Sequence, residues 1–231
     1  MATMFFTSTK LRLTRLAATI AVVLGAAAYA AEPPVDALPR GGKIKQGDAS
    51  ILQRDSGLVI EQRSQRLITD WDSFDIGRDA SVTFVQPNAD ASALNRIHSV
   101  NPSQIFGQLK ANGKIYLVNA QGIIFGRDAQ VNVGSLVAST LSLSEQDYLN
   151  DTLTFDGSND SVIGRIENYG QLAATVGGTV ALLSEQVINH GTITSPSGQI
   201  YLAAGQTVSL DLTERTGLSI CLLYTSDAAD E

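Results

Sequence analysis

Histidine and cysteine, which most often act as nucleophiles, general bases or transition-metal ligands, are few in this chain and are not grouped. Neither histidine, His98 or His190, has a cysteine or a pair of carboxylates at the spacing of metal ligands. The single cysteine, Cys221, has no second cysteine with which to form a disulfide. The sequence has no Gly-x-Ser-x-Gly nucleophile motif and no glycine-rich phosphate loop followed by lysine. We therefore expect a protein that is not an enzyme and that binds no metal and no cofactor.

Aspartates form one dense group of carboxylates between residues 48 and 79. The six are Asp48, Asp55, Asp70, Asp72, Asp75 and Asp79. Calcium prefers carboxylate oxygens as ligands, yet aspartate is also a preferred residue of turns. We interpret these residues as solvated turn carboxylates and keep a calcium site as the alternative.

Composition limits the class of protein. The net charge is −7 and no basic patch is visible, so nucleic acid is not an expected partner. Apolar residues make up 44% of the chain but aromatic residues only 6%, so the core is predicted to be mainly aliphatic. Glycine is abundant, with 20 residues against 6 prolines, which favours a β-protein with many tight corners.

The first thirty residues have the pattern of a signal peptide. Basic residues Lys10, Arg12 and Arg15 precede an apolar stretch over residues 16–27. Ala28-Tyr29-Ala30 is a small-x-small cleavage site, so we expect cleavage after Ala30. No later segment has eighteen consecutive apolar residues, so no membrane-spanning helix is predicted in the mature chain.

The elements that would position functional residues are predicted to be short strands. Apolar alternations such as residues 57–60, 81–85 and 114–118 are bounded by turn-forming residues. One short helix is predicted within Ser142 to Leu149, with Ser144 as its N-cap and a loop as the alternative. The sequence therefore predicts an all-β domain over residues 31–220.

An internal repeat indicates how these strands are arranged. Residues 166–172 match residues 187–193 at an offset of 21, and residues 178–182 match residues 198–202 at an offset of 20. Residues 113–117 fit the second half of the same pattern. A period near twenty that carries strands and turn residues but no helix predicts a β-solenoid with coils of about 20 residues.

Two residue types recur at the corners of this repeat. Asn168 and Asn189 are predicted to lie over one another, with their amides hydrogen-bonded along the stack. Gly170 and Gly191 are expected to adopt backbone angles that side chains forbid. The less regular strands of residues 41–100 are expected to cap the first coil, because an open strand edge invites pairing with another chain.

The last eleven residues, 221–231, differ in character from the rest. They resemble the in-frame translation of a sequencing adapter. We therefore expect the natural coding region in this sequence to end near Ile220 and the domain to be truncated there. Cys221 is given no functional role on this interpretation.

Eight segments between residues 38 and 140 occur in an order and spacing typical of one family. They are Leu38-Pro39-x-Gly41-Gly42, Asp70-Trp71-x-Ser73-Phe74-x-Ile76-Gly77, Val85-Gln86-Pro87-Asn88, Leu94-Asn95-Arg96-Ile97, Asn101-Pro102-Ser103-Gln104-Ile105-Phe106-Gly107, Ala111-Asn112-Gly113, Gly122-Ile123-Ile124-Phe125-Gly126 and Val131 to Thr140. Through them, residues 38 to about 212 resemble the secretion domain of two-partner-secretion exoproteins, also called the haemagglutination-activity domain, as in filamentous haemagglutinins. One departure is Asn119-Ala120-Gln121-Gly122-Ile123, where the family usually has Asn-Pro-Asn-Gly-Ile.

The resemblance implies a fold, a partner and a location. The fold would be a right-handed parallel β-helix with an N-terminal antiparallel cap. The chain would carry a signal peptide through the periplasm of a Gram-negative bacterium. There the polypeptide-transport-associated domains of an outer-membrane β-barrel transporter would recognise it, and a large adhesin would be secreted or held at the cell surface. A host-cell glycan or protein receptor is a second expected partner.

Seven residues are candidates for contact with the transporter under this resemblance. They are Asn95, Arg96, Asn101, Pro102, Asn119, Gly122 and Ile123. The alternative for Asn95 and Arg96 is a buried bridge between cap and solenoid, with Arg96 bonded to strand carbonyls. The alternative for the others is turn chemistry alone. Trp71 and Phe74 are expected to pack in the core of the cap.

Two other functions remain open from the sequence. One is a stand-alone adhesive module that binds glycan or protein directly. The other is a polysaccharide lyase or hydrolase, since such enzymes also use parallel β-helices. An enzyme of this kind needs carboxylates and basic residues grouped on one face of successive coils. Lysine after residue 45 occurs only at Lys110 and Lys114, which disfavours the enzyme.

Overall fold

The computed structural model describes residues 32–158, residues 164–210 and the backbone of residues 218–221. The strands of this part of the chain are β1 (Lys43–Gln46), β2 (Ala49–Arg54), β3 (Gly57–Gln62), β4 (Arg66–Trp71), β5 (Ser81–Val85), β6 (Ser92–Ile97), β7 (Ser103–Ile105), β8 (Gln108–Ala111), β9 (Lys114–Val118), β10 (Ile123–Phe125), β11 (Gln130–Val133), β12 (Ser135–Ser139), β13 (Ser142–Leu143), β14 (Leu153–Asp156), β15 (Ile166–Asn168), β16 (Gln171–Ala174), β17 (Thr179–Ser184), β18 (Val187–Asn189), β19 (Thr192–Thr194), β20 (Gln199–Ala204), β21 (Thr207–Leu210) and β22 (Leu218–Cys221). The helix α1 (Glu145–Leu149) lies between β13 and β14.

Three parallel sheets form the faces of a β-solenoid, as the repeat predicts. Face A contains β4, β6, β9, β12, β17 and β20, so six coils are stacked. Face B contains β7, β10, β15 and β18, and face C contains β3, β5, β8, β11, β16 and β19. The predicted strands over residues 57–60, 81–85 and 114–118 are confirmed as parts of β3, β5 and β9.

The strand register confirms the period of about twenty in most of the chain. Thr179 pairs with Gln199, and Ile166 pairs with Val187, at the offsets of 20 and 21 that the sequence shows. The coil between β12 and β17 is longer, because Leu136 pairs with Val180. The additional residues leave the solenoid as a hairpin of β13, α1 and β14, which the repeat does not predict.

Inward side chains form the aliphatic columns that the composition predicts. On face A, the paired residues Leu67, Ala93, Ile115, Leu136 and Val180 are all fully buried. Burial of apolar surface at about 25 cal/mol per Å² is the main force that stabilises such a stack. The core therefore extends continuously through the coils.

The asparagine ladder is confirmed, but the predicted reason for the glycines is wrong. Asn168 Nδ2 donates to Asn189 Oδ1 at 2.8 Å, and the Asn168 side chain also accepts from the Gly170 amide at 3.1 Å. Neither Gly170 nor Gly191 has a positive φ. A Cβ at Gly170 would lie 2.5 Å from the carbonyl oxygen of Gly126, and one at Gly191 would lie 2.2 Å from that of Gly170. Glycine is needed here because backbones of successive coils approach too closely for a side chain.

An antiparallel cap covers the first coil, as expected from the resemblance. Strand β1 pairs antiparallel with β4, and β2 pairs antiparallel with β3. The cap is smaller than the sequence suggests, because strands from β3 onward already belong to the parallel faces. Trp71 and Phe74 pack in the core below it with ring centroids 5.4 Å apart, which confirms their predicted role.

The hairpin forms part of a fourth, antiparallel sheet that lies on the outward side of face A. This outer sheet has the order β13, β14, β21 and β22. Its Leu153 and Phe155 pack with outward residues of face A such as Ile68, Leu94 and Val137 in a second apolar cluster. Face A is therefore buried on both sides, which explains its strands of nearly uninterrupted apolar residues.

The predicted helix is confirmed over Glu145–Leu149, and the Ser144 hydroxyl accepts from the Asp147 amide at 3.0 Å. The predicted cleavage site, Ala28 and Ala30, lies outside the described residues. Of the segment 221–231, only Cys221 is described, as the last residue of β22. No helix among the described residues is long and apolar enough to cross a membrane.

Candidate recognition corner

The corner between face A and face B brings five of the seven recognition candidates together. Asn119 follows β9, and the Gly122 amide donates to the Asn119 carbonyl at 3.1 Å, which closes a β-turn. Gly122 has a φ of +122°, which a residue with a side chain rarely adopts. The turn therefore keeps the asparagine and the glycine of the family pattern, and it forms with Ala120 where proline is usual.

The Asn119 side chain holds the corner together. It is 1% exposed, and its amide donates to the Asn101 carbonyl at 3.2 Å and to the Ser103 hydroxyl at 3.0 Å. Its carbonyl oxygen accepts from the Gln121 amide at 3.0 Å. One buried side chain thus fixes its own turn and the loop of the preceding coil. Ser103, which belongs to one of the family segments but is not among the seven candidates, completes this set of contacts.

The next coil covers the corner from the other side. The Gly164 amide donates to the Ala120 carbonyl at 2.7 Å, and the Ile123 amide donates to the Arg165 carbonyl at 3.1 Å. A Cβ at Gly164 would lie 2.2 Å from the Gln121 carbonyl carbon. Ile123 itself is fully buried. Asn119, Gly122 and Ile123 are therefore supporting residues rather than surface residues in the folded domain.

The exposed part of the corner is the loop before β7. Val100 is 85% exposed, Asn101 is exposed and Pro102 is half-buried. The Asn101 amide donates to the Ser99 hydroxyl at 3.0 Å, so the loop has local order. The loop presents an apolar side chain beside an amide side chain, and a buried asparagine holds the loop in place. Such a surface is suited to protein contact.

Asn95 lies in the core of the solenoid and not in this corner. It is fully buried on β6, and its carbonyl oxygen accepts from the Trp71 indole nitrogen at 3.0 Å. Its amide donates to the carbonyls of Ala93 at 3.3 Å and Tyr116 at 3.2 Å. A buried indole needs such an acceptor, so Asn95 has a structural role in the folded domain.

Arg96 lies on the outward side of the same strand and joins the hairpin to face A. Its guanidinium contacts Asp70 at 2.7 Å and Glu145, at the start of α1, at 2.7 Å. The partners of Arg96 are therefore carboxylates. The expected alternative, bonds from Arg96 to strand carbonyls, is wrong. His98 Nε2 lies 3.4 Å from Asp70, at the exposed end of this group. The sequence did not identify Glu145 as a partner, because no local pattern relates it to Arg96.

Asp75 is placed beside the corner and differs electrostatically from the other aspartates. Its carboxylate accepts from the Gln104 amide at 2.9 Å, at the start of face B. Burial raises the pKa of Asp75 above its ordinary value, with the Gln104 hydrogen bond and the charge of Arg40 opposing the shift. Among the described residues, no group of three or more His, Cys, Asp or Glu is placed to hold a metal ion.

A polar cleft lies where the hairpin meets the first coils of face A. Arg66 donates to the Tyr148 carbonyl and forms an ion pair with Asp151, both in the hairpin. The Tyr148 hydroxyl lies 2.6 Å from the Ser92 hydroxyl. Burial raises the pKa of Tyr148 to about 12, so this hydroxyl stays neutral. These residues were not predicted as a site, because the contacts join positions more than fifty residues apart in the sequence.

Comparisons with known proteins agree on one family. Residues 36–222 match the family model described as the TPS secretion domain. The heme/hemopexin-binding protein of Haemophilus influenzae strain Rd is 34% identical over 192 residues, which cover 80% of this chain and 21% of that protein. A second Haemophilus influenzae protein of the same description is 42% identical over 118 residues, 51% of this chain and 12% of that protein.

A solved structure has the same fold. The crystal structure of the HMW1 secretion domain from Haemophilus influenzae superposes with a TM-score of 0.74 at 30% identity. The superposition covers 79% of this chain and 48% of that one. The chain thus spans about a fifth of the length of the first curated relative and about half of the solved chain. None of these relatives is described as an enzyme.

Proposed function

Because this chain belongs to the TPS secretion domain family, we propose that it directs a longer adhesin-like exoprotein through one dedicated outer-membrane β-barrel transporter. The observation that carries the proposal is the match over residues 36–222 together with the six-coil solenoid and its cap. The lone cysteine suits this role, since no disulfide would hinder passage of the chain.

The transporter contact that we propose is the exposed loop of the corner, with the periplasmic polypeptide-transport-associated domains as the partner. Val100 and Asn101 present the contact surface, and the buried Asn119 fixes its shape. A rigid, partly apolar loop loses little conformational entropy on binding. Asn95 and Arg96 support this surface only through the fold, since both side chains are engaged within the domain.

Binding of the full chain to the transport-associated domains tests this proposal. Asn101→Ala removes an exposed side chain, so thermal unfolding should be unchanged while affinity falls about three- to tenfold, the value of one or two hydrogen bonds. Asn132→Ala, at an exposed position on face C, is the matched control and should bind like the natural chain. Unchanged binding by Asn101→Ala would place the contact elsewhere.

The signal peptide is proposed from the sequence pattern of residues 1–30, with cleavage after Ala30. N-terminal sequencing of the exported protein should begin at Ala31. Ala28→Arg should block processing, because the peptidase site accepts only small residues there. An exported protein that still begins with Met1 would show an uncleaved leader instead.

We also propose that further coils follow β20 in the natural protein, and that residues 221–231 are not part of it. Ile200 and Leu202, at inward positions of β20, are 45% and 48% exposed. Such apolar residues are usually buried by the next coil. A chain extended with the residues that follow Ile220 in the natural gene should protect the β20 amides from hydrogen exchange. Unchanged exchange would contradict a stacked coil.

A host-cell glycan or protein is the second partner that we propose for the exported protein. Its support is the polar cleft between face A and the hairpin, which the export role does not use. The curated relatives are described as binding heme and hemopexin. They are about five times longer than the matched region or more, so that activity is not assigned to these residues.

A further inference from the structure

The cleft on the outward side of face A is built by the strand register. Arg66, Ser92 and Lys114 are paired neighbours on β4, β6 and β9 and line a cavity of about 330 Å³. Neighbouring strands lie about 4.8 Å apart, so the two cations flank the serine across roughly 10 Å.

The floor of the cleft contains a hydroxyl group that bonds to none of the described residues. Tyr116 follows Lys114 by two residues on β9, lines the cleft and is 4% exposed. Its hydroxyl makes no hydrogen bond to any group that the structure describes, whereas the hydroxyl of its neighbour Tyr148 is bonded to Ser92. Burial raises the pKa of Tyr116, so the group is a neutral donor. The ring is buried but the hydroxyl opens on the cleft, so it is free to donate to a ligand there.

The rim offers both hydrogen-bond acceptors and donors. Lys114 Nζ lies 3.9 Å from Asp90, whose side chain is 94% exposed, so this pair is loose and both groups can contact a ligand. On the opposite side Asp151 pairs with Arg66, and Leu153 supplies an apolar wall. Two cations and two carboxylates line the cleft, so its charges balance.

We propose that this cleft binds one hexopyranose unit of a neutral glycan. A sugar ring carries hydroxyls that both donate and accept, and it has apolar C–H faces. Asp90 and Asp151 accept from ring hydroxyls, Lys114 and Tyr116 donate to them, and Leu153 contacts a C–H face. The balanced charge gives no preference for an ionic ligand, and the volume lies at the lower end of small-molecule pockets, which suits one ring. This inference rests on the proposed receptor role and gives it a site.

Nuclear magnetic resonance titration of the full chain tests the inference with four probes. The probes are the methyl glycosides of glucose, galactose, mannose and N-acetylglucosamine, each raised to about 50 mM, which detects even millimolar affinity. At least one of these glycosides should shift the resonances of Ser92, Lys114 and Tyr116, and the shifts should reach saturation. Tyr116→Phe should weaken that binding about three- to tenfold, the effect of one lost hydrogen bond. Its thermal unfolding should be unchanged, because the hydroxyl bonds to none of the described residues.

Tyr201→Phe is the matched control. Tyr201 lies on β20, in the sixth coil of face A, and its hydroxyl is bonded to Gln199. This variant should bind the glycoside like the natural chain. The inference is overturned if no glycoside shifts the cleft resonances, if Tyr116→Phe binds as tightly as the natural chain, or if glycerol binds as tightly as the glycosides. None of these results depends on the transporter, so they leave the export proposal untouched.

Discussion

Ala120 shows how a single residue modifies the recognition corner without breaking it. It is the second residue of the β-turn that Asn119 and Gly122 close, where proline is favoured. Its amide nitrogen donates to no group that the structure describes. The turn forms without proline because Asn119 bonds it from inside. The family proline would therefore restrict the unfolded chain rather than create the turn.

Ala120→Pro should stabilise the domain by about 0.4–1 kcal/mol, because proline lowers the conformational entropy of the unfolded chain at a compatible position. Urea unfolding, followed by the fluorescence of the single tryptophan, measures the change. Gln121→Pro is the contrasting variant, since the Gln121 amide donates to Asn119 and would be lost. A destabilised Ala120→Pro domain would mean that the local backbone cannot accept proline.

Asp75 makes stability depend on pH in the direction opposite to most carboxylates. Its pKa in the folded domain is raised above the ordinary 3.8, so the folded state binds the proton more tightly than the unfolded state. The stabilising effect of that proton is fully present below pH 3.8 and is lost as the pH rises through the raised pKa. Asp75 therefore lowers the stability of the domain at neutral pH.

Asp75→Asn should be more stable than the natural chain at pH 7 and nearly equal to it at about pH 3. Asparagine keeps an oxygen that accepts from the Gln104 amide but carries no charge. The difference between the two free energies of unfolding across this range isolates residue 75 from the other carboxylates. An equal difference at both pH values would show that desolvation of Asp75 is unimportant.

At the scale of elements, close stacking of backbones rather than unusual backbone angles determines the glycines. Gly126, Gly170 and Gly191 follow the ends of β10, β15 and β18, and a Cβ at Gly170 or Gly191 would meet the carbonyl oxygen of the glycine one coil away. Gly177, in contrast, has a φ of +78° with open space around it. The same residue type thus meets two different requirements in successive corners.

Gly170→Ala should destabilise the domain by more than about 2 kcal/mol, because the new methyl group overlaps backbone that cannot move without unstacking the coils. Gly177→Ala should cost only about 1–2 kcal/mol, the penalty of the left-handed conformation. Thermal unfolding of the two variants compares them directly. A smaller effect at Gly170 than at Gly177 would contradict the stacking argument.

The sequence predicted the elements that repeat and the one helix with a local capping signal, but it missed the outer sheet. Residues 166–172 and 187–193 revealed the solenoid because each coil has the same environment, and so the same residue types recur. The helix was predictable from its Ser144 cap. The outer sheet was not, since β14 pairs with β21 outside the repeat and no local pattern indicates that partner. For the same reason the cleft, which needs the hairpin as one wall, could not be found from the sequence.

At the scale of the molecule, the outer sheet joins coils that would otherwise contact only their neighbours. Solenoid stability is close to a sum of coil and nearest-neighbour contributions. Here Arg66 and Ser92, in the first two parallel strands of face A, contact Tyr148 in the hairpin. Strand β14 of the same hairpin pairs with β21 near the last coil. The outer sheet should therefore make unfolding more cooperative than stacked coils alone.

Phe155→Ala should weaken this coupling and destabilise the domain by about 3–5 kcal/mol, since Phe155 is fully buried between hairpin and face A. In the natural chain, Trp71 fluorescence and far-ultraviolet circular dichroism should report one urea transition. In the variant the two transitions should separate, because Trp71 reports on the first two coils, through its place on β4 and its hydrogen bond to Asn95 on β6. Coincident transitions in Phe155→Ala would show that the coils are coupled through the solenoid itself.

On the export route proposed above, the pairing of β14 with β21 also relates folding to the length of chain that has crossed the membrane. Leu153 is opposite Leu210, 57 residues further along the chain, and an extended segment of that length measures roughly 190–205 Å. The two strands therefore cannot meet on the outside until that whole segment has left the transporter, whichever end emerges first. Closure of this one sheet marks a fixed exported length, after which retreat of the chain would require the finished domain to unfold.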